Sequence, residues 1–107
     1  MAFYHKPREW NKAPGHPLLA PFSMHVSNLR VTEEDAPVTL LQPQHPIWNR
    51  PHRISAADFE GWVQERGLNF PDRWDAAWTP LMEMRDSGDE EPLRGALLYT
   101  SYGRGQF

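Results

Sequence analysis

Short apolar clusters separated by proline-, glycine- and acid-bearing stretches run along this chain, and the spacing inside each cluster predicts its element. Leu81, Met82 and Met84 predict a strand, and Gly95-Ala96-Leu97-Leu98-Tyr99-Thr100-Ser101-Tyr102, rich in β-formers, predicts a second, more buried one. The acidic stretch Asp86-Ser87-Gly88-Asp89-Glu90-Glu91 between them reads as a solvated hairpin tip, because its carboxylates lack the ligand spacing of a calcium loop. Gly103-Arg104-Gly105 reads as a tight turn and Gln106-Phe107 as the start of a further strand, which gives a C-terminal β-hairpin. Val38-Thr39-Leu40-Leu41, bounded by Pro37 and Pro43, predicts a short buried strand followed by a turn over 42–46.

A helical period appears at residues 55–66. Ser55 and Asp58 have the spacing of a capping box, Phe59, Trp62 and Val63 share one face, and Gly67 suits a left-handed C-cap. The pattern predicts an amphipathic helix that packs those three side chains onto a sheet. Residues 1–30 hold Pro7, Pro14, Pro17 and Pro21, which limits helices there to a turn or two. They predict a strand end at Ala2-Phe3-Tyr4 followed by irregular chain. In Pro71-Asp72-Arg73-Trp74-Asp75, Asp72 and Asp75 are candidate caps of short helical turns.

Composition narrows this outline. A chain of 107 residues suits a single domain. Eleven prolines and seven glycines make it loop-rich, and 39% hydrophobic residues leave a thin core that five Trp, five Phe and three Tyr help to fill. The net charge of −3 and the lack of a Lys/Arg cluster argue against nucleic acid as a partner. The absence of cysteine removes disulfides, thiolate zinc sites and a cysteine nucleophile. No apolar run approaches the roughly 20 residues of a membrane span, and the first residues do not read as a signal peptide. The expectation is a cytoplasmic chain without a membrane partner, with export of a parent protein left open.

Candidate chemistry is sparse. His5, His16, His25, His45 and His52 form no close pair with ligand spacing, so no metal site and no cofactor are expected. Gly103-Arg104-Gly105 lacks the third glycine and the following helix of a phosphate loop. No serine lies in a glycine-flanked elbow, and Glu60, Glu65 and Asp72 are ordinary surface carboxylates, so no catalytic residue is assigned. Trp48, Trp62, Trp74 and Trp78 lie within one stretch. Trp74 and Trp78, beside Asp72 and Arg73, are the candidate ligand-binding residues, set against core packing of the same rings.

Two stretches carry a family likeness. Arg30-Val31-Thr32-Glu33-Glu34-Asp35-Ala36-Pro37-Val38 and Arg53-Ile54-Ser55-Ala56-Ala57-Asp58-Phe59-Glu60-Gly61-Trp62-Val63-Gln64-Glu65-Arg66-Gly67-Leu68 resemble the C-terminal region of long bacterial PIG-L (LmbE-like) deacetylase proteins. Trp74-Asp75, Pro80-Leu81 and Tyr102-Gly103-Arg104-Gly105 continue the likeness in order, while Asn69 stands where the family pattern has an aromatic. The resemblance implies that residues 31–107 belong to a domain similar to class I glutamine amidotransferases, the late part of a doubly wound α/β domain. That domain accompanies a zinc-dependent deacetylase of N-acetylated sugars.

The resemblance does not imply catalysis here. The deacetylase signature needs acids after His-Pro, whereas His16-Pro17 is followed by Leu18-Leu19 and His45-Pro46 by Ile47-Trp48. The amidotransferase chemistry needs a cysteine. The expectation is therefore a non-catalytic accessory domain that binds or scaffolds a PIG-L-type deacetylase; the alternative is an independent carbohydrate- or ligand-binding module that uses its Trp residues. Because Ala96–Tyr102 has only Gln106 and Phe107 as a hairpin partner, the sequence also predicts an unpaired strand edge. That edge is expected to be filled by a parent domain or by self-association.

Overall fold

Apolar residues of 38–40, 79–84 and 93–99 build the central sheet. A computed structural model describes residues 7–12 and 20–107. Its elements are α1 (Pro7–Lys12), β1 (Met24–Val26), β2 (Arg30–Val31), β3 (Val38–Leu40), α2 (Pro46–Asn49), a 3-10 turn (Ala56–Phe59), β4 (Gly67–Leu68), β5 (Pro71–Trp74), β6 (Thr79–Met84), β7 (Leu93–Tyr99), β8 (Ser101–Tyr102) and β9 (Gly105–Gln106). Strands β6 and β7 form the predicted hairpin, running from Thr79 opposite Tyr99 to Met84 opposite Leu93. β3 adds to the other edge of β6, with Val38 opposite Met84 and Leu40 opposite Met82.

Two-stranded ribbons β1–β5, β2–β4 and β8–β9 surround this sheet. Every strand pair among the described residues is antiparallel. The fold is thus a small mixed α/β domain with few, short helices and several small antiparallel sheets. The parallel sheet of a doubly wound domain is not found among the described residues.

The core gathers Val31, Ala36, Trp48, Phe70, Leu81, Met82 and Met84, with Val38, Leu40, Phe59, Leu93 and Tyr99 packed around it. Leu81 and Val31 are completely enclosed. Trp48 comes from α2, a single turn opened by Pro46 and capped by the His45 side chain, which accepts from the Ile47 N–H at 3.3 Å. Its indole Nε1 is buried without an acceptor among the described residues. The sheet also closes tightly on β5: a Cβ at Gly95 would lie 2.3 Å from the Pro71 carbonyl oxygen, so only glycine fits there.

The helix expected over 55–66 does not form. Its cap does: the Ser55 N–H donates to the Asp58 carboxylate at 2.7 Å. The turn nevertheless ends at Phe59, Glu60 is extended and Gly61 takes a positive φ of 70°. Two features explain the break. Glycine is costly inside a helix, by about 1 kcal/mol relative to alanine, and the Phe59 carbonyl that a fourth-following N–H would use accepts from the Arg66 guanidinium at 2.8 Å. Gly67, expected as a C-cap, instead lies in β4, where an added Cβ would come within 2.8 Å of the Phe70 ring. Trp62 and Val63 consequently stand 52% and 77% exposed, and only Phe59 of the predicted apolar face packs on the core.

Other expectations are met or corrected locally. Asp75 caps a turn as expected, accepting from the Ala77 N–H at 2.8 Å, whereas Asp72 lies on strand β5. Asn69 has a positive φ of 57°, a conformation that asparagine tolerates far better than an aromatic residue. The strand expected at 2–4 lies outside the described residues. At the other end the turn at 103–104 closes β8 on β9, and Thr100 and Phe107 exchange two backbone hydrogen bonds of 2.9 Å.

Candidate functional site

Residues 30–38 and 53–68 are far apart in sequence and interlocked in space. β2 pairs with β4, setting Arg30 opposite Leu68 and Val31 opposite Gly67. The Arg30 guanidinium forms an ion pair with Glu65. Arg66 turns the other way, donating to the carbonyls of Ala36 at 3.2 Å and Phe59 at 2.8 Å. Phe59 reaches the core from the opposite end of the same loop. Residues 60–64 are therefore held at both ends as a short exposed arch.

Trp62 and Val63 are raised on that arch, and Leu68 (40% exposed) follows it on β4. Between residues 56 and 65 the chain carries Asp58, Glu60 and Glu65 and no lysine or arginine. Large exposed apolar side chains on an anchored backbone are the usual anchors of protein contacts, since little conformational freedom remains to be lost on binding. The exposure of Trp62 and Val63 departs from the apolar helix face that their spacing predicts, because the chain turns out of the helix at Gly61.

The four candidate ligand residues do not present one surface. Asp72, Arg73 and Trp74 are successive residues of β5, so Arg73 points to the face opposite the other two. Trp74 is half-buried. Trp78 is buried: its indole N–H donates to the Phe22 carbonyl at 3.3 Å and its ring meets Phe107 edge-on with centroids 6.0 Å apart. Asp72 lies 2.6 Å from Nδ1 of His25, and that contact directs the other ring nitrogen away from the carboxylate.

An open cleft of about 550 Å³ lies beside this pair, between α1 and β1, with Arg8, Glu9, His25 and Asn28 among its walls. Its other polar groups are already engaged. Asn11 bridges the N–H and the carbonyl of Val26 at 3.0 and 2.7 Å, and the Ser27 hydroxyl donates to the Phe70 carbonyl at 2.5 Å while accepting from the Leu29 N–H. The serine proton is thus not available to His25, and the cleft holds no nucleophile–base pair among the described residues. No group of three or more His, Cys, Asp or Glu side chains among the described residues has the arrangement of a metal site. No described helix is long and apolar enough to cross a membrane.

Comparison of the chain with known family models, with curated proteins and with solved structures gave no match.

Proposed function

We propose that this chain is a non-catalytic accessory domain that docks onto a PIG-L-type N-acetyl-sugar deacetylase. In this reading its small antiparallel sheets form the margin of a class I glutamine amidotransferase-like doubly wound domain, and its work is to bind or scaffold. The observation that carries the proposal is the interlock of residues 30–36 with 59–68: the stretches bearing the family likeness fold against each other and lift Trp62 and Val63 into solvent. A side chain kept for core packing would not be held on the outside of an anchored loop.

The test is calorimetric titration of the whole chain with a deacetylase domain that carries the His-Pro-acid signature and is encoded in frame with it or beside it. Saturable binding that is weakened by Trp62→Ala supports docking through the arch. Absence of binding at any accessible concentration overturns it.

A further inference from the structure

The arch pairs its apolar residues with uncompensated negative charge. Glu65 is neutralised by Arg30, and Arg66 faces inward to two carbonyls. Asp58 serves as the cap acceptor for Ser55 yet stays exposed, and Glu60 is exposed with no ion pair among the described residues. Trp62 is half exposed and follows Asp58 and Glu60 by four and two residues. An exposed indole on a segment bearing carboxylates suits a cation, because the negative face of the ring and the carboxylates both attract it without requiring complete desolvation. Anionic partners are repelled by the same groups.

We infer that Trp62, Val63 and Glu60 receive a basic segment of the partner protein, with an arginine or lysine head stacked on the Trp62 indole and an aliphatic side chain against Val63. The inference rests on the docking reading above and names the partner's chemistry at that same surface. Arginine suits the position better than lysine, because its planar guanidinium stacks on the ring while its edge still reaches a carboxylate.

The probe is a short peptide of alternating arginine and valine, set against its glutamate–valine counterpart. Both are titrated into the full chain while the Trp62 indole N–H resonance, assigned by its loss in Trp62→Phe, is followed by NMR. The basic peptide is expected to shift that resonance saturably and the acidic one to leave it in place. Glu60→Gln should weaken the basic peptide by about threefold and reduce the salt dependence, and Trp62→Ala by about tenfold. Both positions are exposed, so an unchanged thermal midpoint verifies that the variants remain folded.

Equal response to the two peptides, no response to either, or binding indifferent to Glu60→Gln and salt overturns the inference. A response to the basic peptide without binding of the deacetylase domain leaves the cation surface standing and removes the docking reading. Deacetylase binding that ignores salt and Glu60→Gln does the reverse. Light scattering across a concentration series covers the remaining occupant: self-association abolished by Trp62→Ala would assign the arch to a second copy and overturn the inference.

Discussion

The carboxylate of Asp86 accepts the backbone N–H of Glu33 at 3.0 Å, and the carboxylate of Glu33 accepts in return from Ser87, next to Asp86, at 2.8 Å from its N–H and 2.6 Å from its hydroxyl. Thr32 adds its own N–H and hydroxyl to Asp86, each at 2.9 Å. The β6–β7 hairpin tip is thereby clasped to the loop after β2, on the same loop whose Ala36 carbonyl receives Arg66. The tip was expected to be merely solvated; its first acid is instead a structural acceptor.

This clasp predicts an acid-sensitive contribution to stability. Partial burial alone would raise the Asp86 carboxyl, but the Glu33 and Thr32 N–H groups, the Thr32 hydroxyl and the charge of Arg30 outweigh it and hold the pKa below its ordinary value of 3.8. A group depressed in the folded state stabilises the fold fully above its unfolded pKa, and this contribution is lost as pH falls through the folded value. Asp86→Asn should lower the thermal midpoint at neutral pH and flatten its fall below about pH 4. A variant with the parent's acid profile would show that the clasp contributes nothing.

Trp62 and Leu81 should respond oppositely to truncation. Trp62 is half exposed and Leu81 completely enclosed. Trp62→Ala is expected to change unfolding free energy by no more than about 0.5 kcal/mol, whereas Leu81→Ala should cost about 2–5 kcal/mol. Urea titration followed by circular dichroism measures both, and a Trp62→Ala cost as large as that of Leu81→Ala would restore the buried-helix arrangement.

Two glycines separate steric from conformational cost. A methyl at Gly95 would meet the Pro71 backbone, which cannot move without breaking β5 from β1. At Gly61 there is open space around the methyl, and only the positive φ of 70° opposes it. Gly61→Ala should cost about 1–2 kcal/mol, and Gly95→Ala more. Reversal of that order in equilibrium unfolding would contradict the packing of β5 on β7.

No turnover is expected from this chain alone. It lacks cysteine, and neither His-Pro dipeptide is followed by acids. Incubation with N-acetylglucosaminyl substrates plus zinc, and separately with glutamine, should give no product above a heat-killed control. Product in either assay would place catalysis in the chain and remove the accessory reading.

The sequence by itself determined the elements whose cause is local. Apolar runs placed β3, β6 and β7, the acidic tip and Gly103-Arg104-Gly105 placed the two hairpin turns, and the Ser55–Asp58 spacing placed a cap that forms. Composition settled the absence of cysteine chemistry. Tertiary structure decided what depends on partners distant in the chain: β1 on β5, β2 on β4, His25 beside Asp72, and the Asp86 clasp. Strands of two or three residues have too few positions to show a period, so only their pairing defines them. The same reason governs Trp62. The spacing of Phe59, Trp62 and Val63 is equally compatible with a buried helix face and an exposed arch. Gly61 and the long-range hydrogen bond from Arg66 to the Phe59 carbonyl chose the arch, and with it the surface that the proposed function uses.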